Sequence, residues 1–409
     1  LRKAKDVRWW RAFYLFGGIV ANDQDYSTLV QIMANNLGSP NYALLSLVLL
    51  FCGRPVKKAT PLFPMVFHSL YAALKQSLNS IPSAIMWISQ GGITPALKEQ
   101  IIDLAISQLE GGVDPLAKCG AALTLSVFRD KRTIEPLIQS FADVTVASTS
   151  IEALACIGEL AVPQLIEHAQ IRRTFIVSTH GVKLSDKSTV IAFEGELSPH
   201  LEDEAEASHL AMIRRGALLS LGHIQGVKVA GLLIDAFDDS VMIVREAAVE
   251  ALVRLGQTVV PQLEQALEVS DYWRRFRATH TLEQIGGVRA ASALLNALSY
   301  PDPLNGRVRP RIIEALIAIG KADLLTAYST VTSSEDWIIY GANLALGRLH
   351  HADKDKALEY FQKAESTQIN DDNLFYFRCL FWEAATDYEH ALTDVNKAIE
   401  LNNNYFRYY

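Results

Sequence analysis

The chain has 409 residues, half of them apolar, and a formal net charge of −7. It can therefore bury a large core, and its charge argues against a nucleic-acid binder that works by bulk positive charge. The longest apolar run, residues 43–51, is about half of a membrane span, so we expect no membrane partner. A disulfide scaffold is excluded and a reduced, cytoplasmic protein is expected, because no CxxC pair occurs among Cys52, Cys119, Cys156 and Cys379.

Residues 1–97 are predicted to form an N-terminal helical section. It contains two amphipathic helices and a more buried third, in DVRWWRAFYLFGGIVANDQDYSTLVQIM and NYALLSLVLLFCG. This Trp-rich and Leu-rich segment resembles the helical region that follows the nucleotide-binding part of NACHT-type STAND signalling ATPases. The resemblance implies that the chain is a piece of a longer protein, the sensor arm of such an ATPase in bacterial innate immunity or antiviral defence. No GxxxxGK[ST] loop occurs here, so any ATPase activity is expected to lie outside this chain.

Residues 98–350 repeat one pattern, in which a small residue is followed after three positions by Leu or Ile and then glycine. Four of the five spacings between these glycines fall between 27 and 34 residues, a period typical of a solenoid of stacked helix pairs. We expect each glycine to adopt a left-handed conformation and end a helix. The glycines are Gly158, Gly222, Gly256, Gly286, Gly320 and Gly347, and a weaker copy ends at Arg129.

A basic column precedes the small residues of this repeat, and aspartates stand just upstream of it. Aspartate suits the N-terminus of a helix. The combined pattern Asp-Pro, Val-Arg-x-x-Ala-x-x-Ala-Leu-x-x-Ile-Gly resembles HEAT repeats of the short kind named after phycobilisome lyases, which implies an all-α fold, an α-solenoid of stacked helix pairs. The column consists of Lys118, Arg245, Arg275 and Arg309, and the aspartates are Asp114, Asp239, Asp271 and Asp302.

One glycine spacing is twice the period, and it contains an irregular insert at about residues 172–209. Residues 174–179 and 189–193 are rich in β-branched and aromatic side chains, which favours a β-hairpin or an extended excursion. An acidic patch follows at residues 202–206. Such an interruption either forms part of a binding face or is a decorative loop.

Beyond residue 350 the pattern changes to one that resembles tetratricopeptide repeats. Residues 357–364 and 388–401 are similar to the second helices of such repeats, whereas a first helix over 375–385 is a poorer match. We therefore predict tetratricopeptide-like repeats over 351–409, truncated at Tyr409. The matching positions in the last helix are Tyr388, Ala391, Val395 and Ala398.

Candidate partner-binding residues form a basic strip with aromatic neighbours. Such a strip can bind phosphates or an acidic partner, and the alternative is a ladder of Arg-to-Asp contacts between neighbouring repeats. The tryptophans would either cap a repeat interface or line a groove. The candidates are Arg274, Arg275, Arg277, Arg307, Arg309, Arg311, Trp273 and Trp337.

No catalytic, cofactor-binding or metal-binding constellation is visible in the sequence. His350 and His351 are adjacent, so they do not share one helix face, and the cysteines fit the role of apolar filler. We therefore expect a non-catalytic scaffold without cofactor that recognises another macromolecule, a protein or peptide in the first place. Two alternatives stay open: a bilin lyase or lyase-like chaperone, and a nucleic-acid-binding HEAT array that uses the strip at 274–311.

Overall fold

The structure, a computed structural model, describes most of the chain after residue 94 and six single residues before it. Every regular element within these residues is a helix, which confirms the all-α fold class. Two compact units, Leu1–Ile224 and Gln225–Tyr409, divide the chain. The described ranges are 95–170, 201–224, 227–269, 271–301, 308–330, 336–369 and 371–401, with residues 28, 31, 32, 66, 67 and 71.

In the first unit, short helices pack against one another in sequence order. Helix α1 packs on α2, α2 packs on α4, and both α4 and α5 pack on α6. Their shared core is aliphatic, with Leu125, Leu137, Leu154 and Leu165 fully buried. The helices are α1 (Pro95–Gly111), α2 (Pro115–Phe128), α3 (Ile134–Gln139), α4 (Ala147–Ile157), α5 (Val162–Ala169) and α6 (Leu201–His223).

In the second unit, alternate helices form two stacked rows. Helices α8, α10, α12, α14 and α16 each contact the next member of their row, and α7, α9 and α11 form the other row. This stacking of helix pairs confirms the predicted α-solenoid. The helices are α7 (Ala230–Asp235), α8 (Met242–Leu255), α9 (Val260–Glu268), α10 (Tyr272–Ile285), α11 (Gly287–Ala297), α12 (Val308–Ile319), α13 (Ala322–Thr330), α14 (Asp336–Leu349), α15 (Lys354–Ser366), α16 (Asp372–Ala384) and α17 (Tyr388–Leu401).

Three of the repeat glycines end helices in a conformation that needs glycine. Gly158, Gly256 and Gly286 have φ of 73°, 63° and 63° with ψ of −140°, −140° and −163°. This region of backbone space is essentially restricted to glycine. Gly320, with φ of 68°, follows the last residue of α12. The glycine-free copy ends at Arg129 with φ 47° and ψ 45°, the left-handed helical region that other residues can adopt.

Two repeat glycines do not act as predicted. Gly347 lies inside α14, where a Cβ atom would be 2.8 Å from the ring of Phe361, so this glycine permits the close packing of α15. Gly222 is the penultimate residue of α6, and its φ is not positive. The prediction that these two residues adopt a left-handed conformation is therefore wrong.

Aspartate and proline begin the helices as the repeat pattern predicts. The Oδ1 of Asp114 accepts a hydrogen bond from the Leu116 amide at 3.1 Å, and that of Asp271 accepts one from Arg274 at 2.7 Å. Asp239 acts earlier, accepting from the Val241 amide at 2.9 Å before α8 begins. These bonds satisfy amide groups that have no partner within the helix.

The irregular insert is shorter than predicted. Helix α6 begins at Leu201, so residues 201–209, with the acidic patch, belong to a helix. The predicted β-hairpin lies within 171–200, outside the described residues, as do Trp9, Trp10 and nearly all of the N-terminal section. The helices predicted around 357–364, 375–385 and 388–401 are confirmed as α15, α16 and α17.

In the described part of the chain, no single helix has both the length and the apolar composition of a membrane span. One bent pair, Ala147–Leu160 with Val162–Ala169, meets those two criteria when its helices are taken together.

Candidate functional site

Helix α10 presents an aromatic and basic surface in the second unit. Trp273, Arg277 and His280 lie at intervals of four and three residues, so they share one side of the helix, which we call the Trp273 face. Trp273 is 57% exposed. Its ring packs edge-on against Tyr272 at 5.0 Å and against Phe276 at 6.1 Å. The surface therefore has a large exposed side chain whose position is fixed by its contacts with Tyr272 and Phe276.

Arg277 is the cation of the Trp273 face. Its guanidinium carbon lies 5.6 Å from the centre of the Trp273 ring, within the range of a cation–π interaction. Burial lowers the pKa of Arg277 and the positive charge of Arg245 on α8 lowers it further, while Asp238 and Asp271 act in the opposite direction. Among the described residues, Arg277 forms no ion pair. Arg277 is therefore near Arg245, Asp238 and Asp271, and none of the described carboxylates forms an ion pair with it.

Two other arginines of the predicted strip are neutralised by the chain itself. Arg274 forms ion pairs with Asp238 and, at 3.4 Å, with Asp235, and the hydrogen bond that it donates to Asp238 raises the pKa of Arg274. Arg311 pairs with Glu283, and its guanidinium lies 5.7 Å from the ring of Phe276. Their charges are committed to partners within the second unit.

Arg275 and Arg309 have a structural role. Arg275 is only 4% exposed and donates to the carbonyl oxygens of Val269 and Pro301, at 2.5 and 2.7 Å. Arg309 donates in the same way to the carbonyl oxygens of Leu298 and Tyr300. These hydrogen bonds join each arginine to main-chain oxygens outside its own helix, and the ladder of Arg-to-Asp contacts stays a prediction for Arg275 and Arg309.

The remaining members of the basic column divide between the two types of contact. Arg245 donates in the same way to the carbonyl oxygens of Asp239 and Ser240, both at 2.8 Å. Lys118, in the first unit, does form the predicted ion pair, with Asp143 at 2.9 Å. An arginine presents several donors in a fixed plane, so it can bind two or three carbonyl groups at once.

Trp337 and Arg307 complete the predicted set. The guanidinium of Arg309 lies 3.7 Å from the centre of the Trp337 ring, and Tyr340 packs edge-on against that ring at 5.7 Å. Trp337 is therefore covered by its own chain and caps a repeat interface. Arg307 lies outside the described residues.

Several exposed apolar side chains lie where the first helix of a repeat begins, a feature that was not predicted from the sequence. They lie up to six residues before the basic column or its equivalent, so the period of the repeat marks their positions. The second unit carries Met242, Ile243, Val269 and Trp273 there, and the first unit carries Val113, Leu116 and Val144.

Metal-binding and nucleophilic chemistry finds little support in the described residues. No group of three or more His, Cys, Asp or Glu side chains within them could hold a metal ion. Burial raises the pKa of the thiols of Cys156 and Cys379, which makes both poorer nucleophiles. His350 stacks on the ring of Tyr360 at 5.4 Å, and Cys119 is buried.

Comparison with solved structures finds only weak similarity. Human deoxyhypusine hydroxylase is 19% identical, covering 75% of this chain and 98% of its own, with a TM-score of 0.24. The CpcE and CpcF complex of phycocyanin lyase from Nostoc sp. PCC7120 is also 19% identical, covering 65% and 94%, with a TM-score of 0.25. The karyopherin Kap121p, bound to the extreme C-terminus of the protein phosphatase Cdc14p, is 12% identical, covering 94% and 43%, with a TM-score of 0.34. Similarity at this level carries no argument about function.

Sequence comparison identifies one segment. No curated protein matches the chain. Residues 243–317, however, match the family model of HEAT repeats. This range runs from the start of α8 into α12, so the Trp273 face lies within the segment that is similar to HEAT repeats.

Proposed function

We propose that this chain is a non-catalytic scaffold that recognises another protein through the Trp273 face. The observation that carries the proposal is the exposed ring of Trp273, which is fixed by Tyr272 and Phe276 and lies beside Arg277. Tryptophan and arginine dominate the binding energy of protein interfaces, because they combine a large apolar area with directed hydrogen bonds. Met242 and Val269 are further exposed apolar side chains of the same unit.

The internal pairing of the arginines favours a protein over a nucleic acid. Affinity for nucleic acid depends on cations that are free to replace the counterions of phosphates. Arg274 and Arg311 are paired with carboxylates, and Arg275 and Arg309 are used to bind carbonyl oxygens. Among the described arginines that were predicted as candidates, Arg277 is the one with neither an ion pair nor a side-chain hydrogen bond to its own chain.

The proposal is tested by affinity purification of the tagged chain from its source cells, followed by mass spectrometry. Trp273→Ala removes the exposed ring, and Val288→Ala, which truncates an equally exposed apolar side chain on α11, is the matched control. We expect a protein that co-purifies with the wild type and with Val288→Ala, and whose recovery falls at least tenfold with Trp273→Ala. Equal recovery with both variants would contradict the proposed site.

A nucleic-acid partner is tested in parallel by fluorescence anisotropy of labelled DNA and RNA at low salt. We expect no binding above that of an acidic control protein of similar size. Binding that weakens steeply with salt and is lost in Arg277→Gln would overturn the choice of a protein partner.

We further propose that the scaffold serves as the sensing and autoinhibitory arm of a bacterial NACHT-type signalling ATPase. The support is the resemblance of the Trp-rich and Leu-rich segments between residues 6 and 53. The test is the genomic reading frame, which should encode a GxxxxGK[ST] loop upstream of Leu1. An authentic start codon at Leu1 would remove this context and leave the scaffold itself untouched.

A further inference from the structure

The charged side chains near Trp273 are unequally paired. Asp235 and Asp238 are both engaged by Arg274, whereas Arg277 has no ion-pair partner among the described residues. Asp238 and Asp271 lie close enough to attract Arg277 without pairing with it, and Arg245 lies close enough to repel it. A negative charge from outside the chain would be attracted by both groups, and it would relieve this repulsion.

The same neighbourhood limits how much negative charge it can accept. The side chain of Asp235 is 69% exposed and that of Asp238 is 40% exposed. An extended polyanion that crossed α10 would approach these carboxylates, and like charges at short distance cost free energy. One carboxylate bound to Arg277 meets less of that repulsion, because it brings a single negative charge near Asp238 and Asp271. The charge pattern therefore suits a single acidic group better than a phosphate chain.

The apolar surface fixes what must accompany that acidic group. Trp273 lies within one helical turn of Arg277, with the guanidinium 5.6 Å from the ring centre. A ligand that pairs with Arg277 therefore covers part of the indole ring. Met242, 62% exposed at the start of α8, offers further apolar area in the same unit. A polar ligand would leave these surfaces exposed to water, whereas a large apolar side chain would bury them.

We infer that the Trp273 face binds a protein segment in which one Asp or Glu adjoins a large apolar residue. The apolar side chain packs on the ring of Trp273, and the carboxylate accepts hydrogen bonds from Arg277. An arginine that already stacks on an aromatic ring is held in place, so less conformational entropy is lost when it binds the carboxylate. The inference rests on the proposed function and specifies the chemistry of the partner.

The test selects short linear peptides from a phage-displayed random library against the 409-residue chain. Parallel selections use Trp273→Ala, Arg277→Glu and the control Val288→Ala, and circular dichroism confirms that each variant is folded. We expect the wild type and Val288→Ala to enrich peptides with one Asp or Glu beside Leu, Met, Phe or Trp. Arg277→Glu should enrich Lys or Arg at the acidic position, and Trp273→Ala should enrich neither class.

The best wild-type peptide is then synthesised in two versions, with its carboxylate intact and with that residue changed to the amide. Anisotropy titration should show a loss of affinity on the order of tenfold for the amide, the size expected for a hydrogen bond to a charged group. The same loss should appear when the acidic peptide is titrated with Arg277→Gln. For Arg277→Gln, the two peptide versions should bind equally.

The outcomes separate the inference from the proposed function. Enriched peptides that need Trp273 but lack a carboxylate would overturn the inference and leave the protein-binding face standing. Peptides that bind Trp273→Ala and Arg277→Glu as well as the wild type would overturn both. Failure of the wild type to enrich any peptide would also count against the inference.

Discussion

The second unit contains two segments of stacked helix pairs, α8–α12 and α14–α17. They differ in the backbone conformation of the residues that follow their helices. In the first, Gly256 and Gly286 end helices with φ of 63° and strongly negative ψ, where glycine is needed. In the second, positive φ angles occur at Gln368 and Thr386, 57° and 58°, close to the left-handed helical value that other residues tolerate. Glycine thus recurs in the sequence at helix ends whose backbone conformation excludes other residues.

The two segments also differ in how an arginine holds the helices together. Arg275 in the first segment binds carbonyl oxygens of neighbouring turns. Arg378 in the second forms a two-pronged ion pair, at 2.8 Å for both bonds, with Asp394 of α17. Asp394 is almost completely buried. The second arrangement concentrates the stabilisation in one charged pair, so the two segments should respond differently to loss of an arginine.

The largest effect is expected for Arg378→Met. This change leaves the buried Asp394 carboxylate without its partner, which typically costs about 3–5 kcal/mol of unfolding free energy. Urea denaturation followed by circular dichroism measures the change. Lys397→Met, which removes an exposed pair with Glu400, is the control and should cost less than about 1 kcal/mol. Similar losses for the two variants would contradict the importance of burial.

A smaller loss is expected for Arg275→Met. The methionine keeps the apolar stem but leaves the carbonyl groups of Val269 and Pro301 short of a donor, at a cost of about 2–3 kcal/mol. Arg274→Met removes a more exposed ion pair at the adjacent position and should cost less than about 1 kcal/mol. If the two neighbouring variants were equally stable, Arg275 would not hold the turns together.

Gly286→Ala tests whether the end of α10 requires glycine. An alanine at this φ and ψ is strained by about 1–3 kcal/mol. Gly231→Ala is the matched control, because Gly231 lies in α7 with no atom near a Cβ and should gain a few tenths to about 1 kcal/mol from helix propensity. Thermal denaturation of the pair gives the comparison, and a neutral Gly286→Ala would show that the corner relaxes.

In the α14–α17 segment, stability should also depend on pH through Asp371. Burial raises the pKa of Asp371 from 3.8 to about 7, with Asp372 as a further cause. The folded state then binds the proton more tightly, so this contribution to stability is complete below about pH 4 and is lost as pH rises through about 7. Asp371→Asn, which still caps α16, should reduce the loss between pH 5 and pH 8 by on the order of 1 kcal/mol. Urea midpoints at both pH values measure it, and parallel profiles for the variant and wild type would refute it.

The smallest effect on stability is expected for Trp273→Ala. More than half of the ring is exposed, so its truncation should change the unfolding free energy by less than about 1 kcal/mol. The measurement is urea denaturation alongside Val288→Ala. A large loss would show that Trp273 is a packing residue and would weaken its assignment to a binding surface.

Sequence reasoning predicted the features that depend on local backbone demands. The glycine corners at Gly256 and Gly286 and the aspartate caps at Asp114 and Asp271 each follow from the conformation of a few adjacent residues. The role of Gly347 was missed, because it depends on the ring of Phe361 from the next helix. The sequence pattern of a single repeat does not indicate which side chain of the next helix will contact it.

The binding surface was predicted in part for the same reason. The sequence analysis named Trp273 and Arg277 as candidates, and the structure places them four residues apart on one side of α10. Spacing does not tell which arginines are neutralised, since Arg274 and Arg311 find their carboxylates on other helices. The free charge of Arg277 emerges only when the neighbouring helices are in place.

The binding of arginines to main-chain oxygens has an evolutionary consequence. Every amino acid supplies the same carbonyl group. The hydrogen bonds from Arg245, Arg275 and Arg309 to these carbonyl groups therefore do not constrain which side chains occupy the turns. Those turns carry exposed residues such as Met242 and Val269. Mutation can therefore change the exposed side chains of each turn while the hydrogen bonds from the arginine to the main chain are kept.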